Sequence, residues 1–262
     1  MKFYSGERDY PEDKKTNPRF QRELSAYLFC VNYVENKFVL DAGCGEGFGS
    51  FHLAQKSKKV IGIDNSRKTI EKAKQTYRKD NLEFMMMDVT HMEFPDEYFD
   101  VVISLAVIEH IEDYETYLKE IKRVLKKEGT GIISFLNKLY KFPLEPYHYR
   151  EFNLVEINEL MERYFSDIEI FGIFGTSKNS ISYRKKRLKI IDLVYKSGFF
   201  KLLRLTPRKL SIIIYEILHF LFREFLFLLK SREIMKISTE DFLISKENLE
   251  NAINYIAVFR KL

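Results

Sequence analysis

The 262-residue chain has no tryptophan, only two cysteines and only six prolines. Cys30 and Cys44 are too few for a disulfide framework or a zinc knuckle, and they suit a reducing cytosol. No apolar run opens the sequence, because its first ten residues are MKFYSGERDY, so we expect no secretory signal. The expected location is therefore the cytoplasm.

Apolar residues are plentiful, at 45% of the chain, and aromatic residues reach 15%. This composition supports a full core and excludes general disorder. The formal net charge is only +5, but it is unevenly distributed. Residues 175–238 contain nine Lys and six Arg against one Asp and three Glu, a net charge of +11. The remaining residues carry a net charge of −6, so this basic region differs in charge sign from the rest of the chain.

Short β-rich runs alternate with helical patterns between residues 37 and 135. Strands are predicted over 37–41, 60–64, 82–86, 99–104 and 131–135, and helices over stretches such as 66–78 and 114–126. Apolar strands that alternate with helices predict an α/β fold with a parallel sheet covered on both faces. A helix over 153–165, a sixth strand over 168–174 and a seventh over 255–260 complete the pattern.

A glycine-rich turn follows the first predicted strand, in the run VLDAGCGEGFG over 39–49. Glycine lets the backbone approach a ligand without a Cβ in the way. Asp64 ends the next predicted strand, where an acid can accept hydrogen bonds from ribose hydroxyls. The dinucleotide pattern G-x-G-x-x-G fails, because its last position falls on Phe48 or Ser50. The phosphate-loop pattern ending in G-K-S/T is also absent.

The G-x-G-x-G run preceded by Asp41 resembles motif I of the class I S-adenosylmethionine-dependent methyltransferases. The runs FDVVIS at 99–104 and RVLKKEG at 123–129 resemble two further motifs of that family, although Lys127 and Glu128 replace its usual Pro-Gly. The resemblance covers roughly residues 1–174 and the last strand. It implies S-adenosyl-L-methionine as the cofactor and a Rossmann-like sheet of seven mostly parallel strands, with a helical insertion before the last strand.

The same resemblance implies a set of residues that bind the cofactor, and the adenine amino group is assigned to Asp88. The set is Asp41, Gly43, Cys44, Gly45, Gly47, Asp64, Asn65, Asp88, Val89 and Ser104. The expected organisation is an N-terminal arm or lid over 1–36, the methyltransferase core over 37–174, the basic insertion over 175–238, and a return to the core over 239–262.

Two histidines follow the fourth and fifth predicted strands, His110 in EHI and His148 in YHYREF. Ligands bind at the carboxyl ends of parallel strands, and a hydroxyl acceptor benefits from a base within hydrogen-bond reach. Both histidines are therefore candidate catalytic bases, and a structural role is the alternative for each. His110 resembles the histidine of small-molecule O-methyltransferases. Some of these carry E-x-x-E-H for a metal, but Ala106 replaces the first acid, so we expect no metal.

The basic region contains two distinct patterns. YRKKRLK at 183–189 has five cations in seven residues, and 15 of the 20 residues over 210–229 are apolar or aromatic. Glu216 and Arg223 would each cost about 2.5–3.5 kcal/mol at a bilayer centre. A helix lying on an anionic membrane surface, or a site for a lipid-linked substrate, is therefore favoured over a spanning helix. Packing on the core or on a second subunit is the alternative, and a nucleic-acid partner is not expected.

These observations predict a methyltransferase that modifies an oxygen atom of a sugar, glycan or lipid-linked acceptor, because GERDYP, EHI and HYREF resemble a subgroup that often acts on sugars. The expected location is cytoplasmic, with peripheral attachment to the inner face of the membrane. One alternative is a quinone- or polyketide-type small-molecule O-methyltransferase. Another is a cofactor-binding, membrane-associated scaffold without catalysis.

Overall fold

The computed structural model describes residues 17–138, 147–196 and 234–261, together with residues 214, 217, 220 and 221. The chain divides into two compact units. One comprises residues 26–138, 149–173 and 244–262, and the other comprises residues 1–25, 139–148 and 174–243. The expected boundaries at residues 36, 174 and 238 stay predictions, and the first sixteen residues of the expected arm lie outside the described residues.

A mostly parallel sheet dominates the first unit, and its strands are β1 (Phe38–Ala42), β2 (Lys59–Asp64), β3 (Leu82–Met86), β4 (Phe99–Ser104), β5 (Leu125–Leu136), β6 (Phe165–Gly175), β7 (Phe242–Ser245) and β8 (Asn254–Lys261). The strand order is β3-β2-β1-β4-β5-β8-β6-β7. Strands β1 to β5 pair in parallel, whereas β8 is antiparallel to its neighbours β5 and β6. The predicted α/β fold class is confirmed, with one strand more than the seven expected, because four-residue β7 is too short to give a periodic signal.

Helices connect the strands where the sequence supplies caps and apolar faces. They are α1 (Asn17–Cys30), α2 (Phe48–Leu53), α3 (Arg67–Thr76), α4 (Tyr114–Val124), α5 (Leu154–Glu162) and α6 (Lys178–Lys196). Ser66 and Asp113 cap α3 and α4, since their side chains accept hydrogen bonds from Thr69 and Thr116. Asn153 and Glu156 form a capping box at the start of α5. Such caps satisfy backbone N–H groups that have no partner within the helix.

The start of β5 differs from the prediction. A strand was expected from residue 131, yet β5 begins at Leu125 directly after α4. The register with β4 moves from Phe99–Leu125 to Val101–Thr130, so three extra residues bulge out of β5. Glu128, which replaces a residue of the family's Pro-Gly pair, adopts a left-handed φ of 60°. A bulge of this kind absorbs the residues that would otherwise form a separate turn.

The basic region is described in part. Its cationic run at 183–189 lies within α6. Most of the apolar run at 210–229 lies outside the described residues. In the part of the chain that the structure describes, no helix is both long and apolar enough to cross a membrane.

Candidate active site

The glycine-rich loop joins β1 to α2 at the carboxyl edge of the sheet. The backbone N–H groups of Gly43 and Cys44 both donate to the carbonyl of Ile63, at 2.8 Å, which ties the loop to β2. Gly43, Gly45 and Gly47 all have positive φ, at 85°, 53° and 88°, a region that favours glycine.

The three glycines face different surroundings. A Cβ on Gly43 would overlap the side chain of Val107, and a Cβ on Gly47 would come within 2.7 Å of the Phe84 ring. A Cβ on Gly45 would meet nothing within 4 Å. Gly43 and Gly47 are therefore required by packing, whereas Gly45 leaves open space on the loop that a ligand can approach.

Gly43→Ala is expected to lower the free energy of unfolding by about 2–5 kcal/mol, because overpacking against Val107, at about 1–3 kcal/mol, adds to left-handed strain of about 1–2 kcal/mol. Gly45→Ala is the matched control, since it adds only left-handed strain of about 1–2 kcal/mol. Adding Val107→Ala to Gly43→Ala should restore part of the loss. Urea denaturation measures all three variants, and equal destabilisation by Gly43→Ala and Gly45→Ala would contradict this account.

Asp41 lies fully buried beneath the loop, in β1. Its carboxylate accepts hydrogen bonds from the hydroxyls of Ser50, at 2.6 Å, and Tyr27, at 3.2 Å. The pKa of Asp41 is raised to about 7: burial is the main cause and nearby Asp64 adds to it, while the hydrogen bonds from the two hydroxyls lower the pKa. Sequence reasoning missed Tyr27 and Ser50, because no motif spacing links them to Asp41.

The raised pKa of Asp41 predicts pH-dependent cofactor binding. S-adenosylmethionine carries a sulfonium and an ammonium group, and positive charge favours the ionised carboxylate. Binding near pH 6.5 should therefore release part of a proton, and affinity should rise about tenfold from pH 6 to pH 8. Calorimetry in buffers of different ionisation enthalpy measures the release, and Asp41→Asn should abolish it. Identical binding enthalpies in these buffers for the wild-type protein would refute the prediction.

Asp64 stands at the end of β2, half-buried. Its Oδ1 accepts a hydrogen bond from the backbone N–H of Ser66, at 2.8 Å. None of the described residues donates to Oδ2, so this oxygen can still accept from a ligand hydroxyl. Asn65 follows as an exposed residue.

The other expected cofactor contacts follow β3 and β4. Asp88 is exposed, and its Oδ1 accepts hydrogen bonds from the N–H and hydroxyl of Thr90, both at 2.8 Å. Val89 is buried. Ser104 is fully buried and donates its hydroxyl hydrogen bond to the carbonyl of Ala42, at 2.6 Å. The Ser104 hydroxyl thus already links β4 to β1.

The loop after β4 carries a residue whose backbone is strained, and no sequence pattern predicts this strain. Ala106 has a φ of 55°, an uncommon conformation for a residue with a Cβ. Its backbone N–H donates to Oγ of Ser134 on β5, at 2.7 Å. Val107, the next residue, packs on Gly43. This hydrogen bond therefore holds the β4 loop against the glycine-rich loop.

The two candidate bases lie on different segments. His110 is half-buried and ends a 3-10 helix over Ile108–His110, directly beyond the carboxyl end of β4. His148 is half-buried and is the last residue of segment 139–148 in the second unit. Tyr149, which follows it, donates its backbone N–H to the carbonyl of Glu109, at 2.8 Å.

Comparisons with known proteins agree with this geometry. Residues 40–133 match a family model described as a methyltransferase domain. A probable S-adenosylmethionine-dependent methyltransferase from Mycolicibacterium smegmatis is 31% identical over 176 residues, covering 65% of this chain and 68% of the relative. The chain belongs to the class I S-adenosylmethionine-dependent methyltransferases. Its cofactor is accordingly S-adenosyl-L-methionine.

Other relatives of this methyltransferase cover less of its length. The ubiquinone biosynthesis O-methyltransferase of Pelagibacter ubique is 35% identical over 109 residues, 41% of this chain and 45% of that protein. The (S)-coclaurine N-methyltransferase of Thalictrum flavum is 32% identical over 129 residues, 47% of this chain and 36% of that protein. The chain thus spans less than half the length of these two relatives.

A solved structure shares the fold of the methyltransferase across nearly its whole length. It is a methyltransferase from Thermotoga maritima, described as a possible histamine N-methyltransferase, with a TM-score of 0.60 and 16% identity. The match covers 94% of this chain and 92% of that one. At this identity the match supports the fold alone.

The residues present suit S-adenosylmethionine. The open space at Gly45 admits a ligand to the loop, and Oδ2 of Asp64 is an available acceptor for a ribose hydroxyl at the end of the neighbouring strand. The cofactor-binding roles of the individual residues stay predictions.

Proposed function

We propose that this methyltransferase transfers the methyl group to an oxygen atom of a sugar, glycan or lipid-linked acceptor. The observation that carries the proposal is the position of His110 directly beyond β4, at the edge of the sheet where the cofactor loop also lies. A hydroxyl group is a poor nucleophile until a base removes its proton, and a histidine can do this near neutral pH.

The bound cofactor supplies a methyl group already activated on a sulfonium. The protein's own residues then orient the reactants and exclude water. In this proposal Asp64 orients the ribose, the loop held by Ala106 and Ser134 fixes the cofactor loop, and His110 or His148 accepts the proton of the acceptor hydroxyl.

Exposed apolar and cationic residues in the second unit support a lipid-linked acceptor. Ile217, Phe220 and Leu221 are 50%, 42% and 55% exposed, and their spacing places them on one helical face. The cationic run lies in α6. Exposed apolar and cationic side chains in the same unit favour an anionic lipid surface.

A labelling experiment tests the acceptor class. The purified protein is incubated with S-adenosylmethionine carrying a ¹³C-labelled methyl group and with either the lipid or the water-soluble fraction of a cell extract. We expect labelled methyl ether in a glycan or glycolipid, identified by NMR and mass spectrometry. A labelled aryl methyl ether would instead support a quinone-type O-methyltransferase, which the relationship to the ubiquinone enzyme favours. A labelled N-methyl group would refute transfer to oxygen.

The membrane proposal has a separate test. Vesicles with increasing anionic lipid content should bind the protein more strongly at low salt, because each Lys or Arg near the surface contributes about 1 kcal/mol. Reversing the charges at Arg184 and Lys185 should weaken binding, while Lys58→Glu, an exposed cation of the other unit, serves as the control. Failure of the wild-type protein to float with anionic vesicles would end the membrane proposal.

A further inference from the structure

A buried amide at the start of β8 lacks a hydrogen-bonding partner. Asn254 is 7% exposed, and within the described part of the chain no group donates to its Oδ1. Buried side-chain oxygens almost always accept a hydrogen bond, because losing water without a replacement is unfavourable. Asn137, just after β5, shows the usual arrangement: its Nδ2 donates to the carbonyl of Ala252, at 2.7 Å.

Asn254 lies at the edge of the sheet where ligands bind. It pairs with Leu136, the last residue of β5, and with Ile173 near the end of β6. Since β8 runs antiparallel to both, its first residue lies beside the carboxyl ends of the parallel strands. The glycine-rich loop and Asp64 lie along the same edge, which is the usual ligand-binding edge of such sheets.

The register also places Asn254 near the β4 loop. Ser134 and Leu136 share a face of β5, because side chains alternate along a strand, and Leu136 is the partner of Asn254. Ser134 is the residue that holds Ala106. Strand spacing puts Asn254 about 7 Å along the strand direction from the Ser134 position and about 10 Å across the sheet from β4. The β4 loop and Asn254 are therefore close enough for side chains of both to reach the same acceptor.

We propose that Asn254 binds a hydrogen-bond donor of the methyl acceptor, a second polar group distinct from the atom that is methylated. The acceptor class is then a ring with at least two hydroxyl groups, such as a sugar or a catechol, and not a simple alcohol. This inference rests on the proposed oxygen transfer. Asn254 acts as a specificity-determining residue, and its orphaned Oδ1 is the group that the acceptor satisfies.

Asn254→Leu, with Asn137→Leu as the control, tests the proposal. Removing an unsatisfied buried oxygen should raise the melting temperature of the Asn254 variant by about 2–4 °C, whereas the control should melt lower because it loses a hydrogen bond. The affinity for S-adenosylhomocysteine, measured by calorimetry, should be unchanged in Asn254→Leu. Its kcat/KM with catechol or methyl glucoside as the probe should fall about 10- to 100-fold.

The outcomes separate the two proposals. A lower melting temperature for Asn254→Leu, or an unchanged kcat/KM on a probe that the wild type methylates, overturns the role of Asn254. If the wild type methylates neither probe, transfer to these hydroxyl rings is the proposal that fails. The melting temperatures then still decide whether the amide is an unsatisfied group: a rise supports the inference and a fall overturns it.

Discussion

Asp64→Ala is expected to weaken S-adenosylmethionine binding by about 1–3 kcal/mol, or roughly 5- to 150-fold in Kd. The carboxylate ends β2 and keeps Oδ2 available while Oδ1 holds the backbone N–H of Ser66. Ribose hydroxyls bound at this position would lose their acceptor in the alanine variant. Isothermal titration calorimetry measures the loss directly.

Two controls separate ligand contact from local structure. Asp64→Asn retains an acceptor for the Ser66 N–H, so a loss of affinity common to both variants reflects the missing charge-assisted hydrogen bonds. Glu83→Ala removes an exposed acid of β3 that pairs with Lys59 at 3.0 Å, and should leave Kd unchanged. If Asp64→Ala bound S-adenosylmethionine with wild-type affinity, the ribose assignment would be wrong. If the wild-type protein bound a nicotinamide dinucleotide more tightly than S-adenosylmethionine, the cofactor assignment would be contradicted.

The sequence predicted the elements whose signal is local. Apolar runs with helical segments between them placed β3 and β4 at their observed bounds, Leu82–Met86 and Phe99–Ser104. The glycine spacing, with Asp64 at the next strand end, is sufficient to exclude dinucleotide and phosphate-loop sites. This signal is local, because the left-handed backbone conformation at each glycine depends on the residue itself.

Tertiary features of the site had no such signal. The acid at Asp41 was expected, but Tyr27 and Ser50 reach it from α1 and α2 only after the helices pack on the sheet. Similarly, Ala106 is held by Ser134, 28 residues away. In the sequence, Asn254 is an ordinary polar residue at the start of a strand, and only the structure shows that it is buried. Partners from distant segments are set by packing, which periodicity does not encode.

The largest expected effect belongs to the base. If His110 removes the acceptor proton, His110→Gln should lower kcat by about 10²- to 10⁴-fold without changing the Kd for the cofactor. His148→Gln should give this loss instead if His148 is the base. His91→Gln is the matched control, because His91 is exposed after β3 and should retain full activity. Melting temperatures identify any variant whose loss reflects misfolding.

A pH profile distinguishes proton removal from acceptor orientation. At saturating S-adenosylmethionine, where the titration of Asp41 no longer changes cofactor occupancy, kcat/KM of the wild type for the acceptor rises as a histidine base loses its proton. Only the neutral imidazole accepts the hydroxyl proton. Replacing the catalytic histidine should abolish this rise with pH. Replacing a histidine that only positions the acceptor would lower the rate but leave the pH dependence unchanged. Near-native turnover by both His110→Gln and His148→Gln would mean that alignment of the acceptor with the activated methyl group suffices for the reaction.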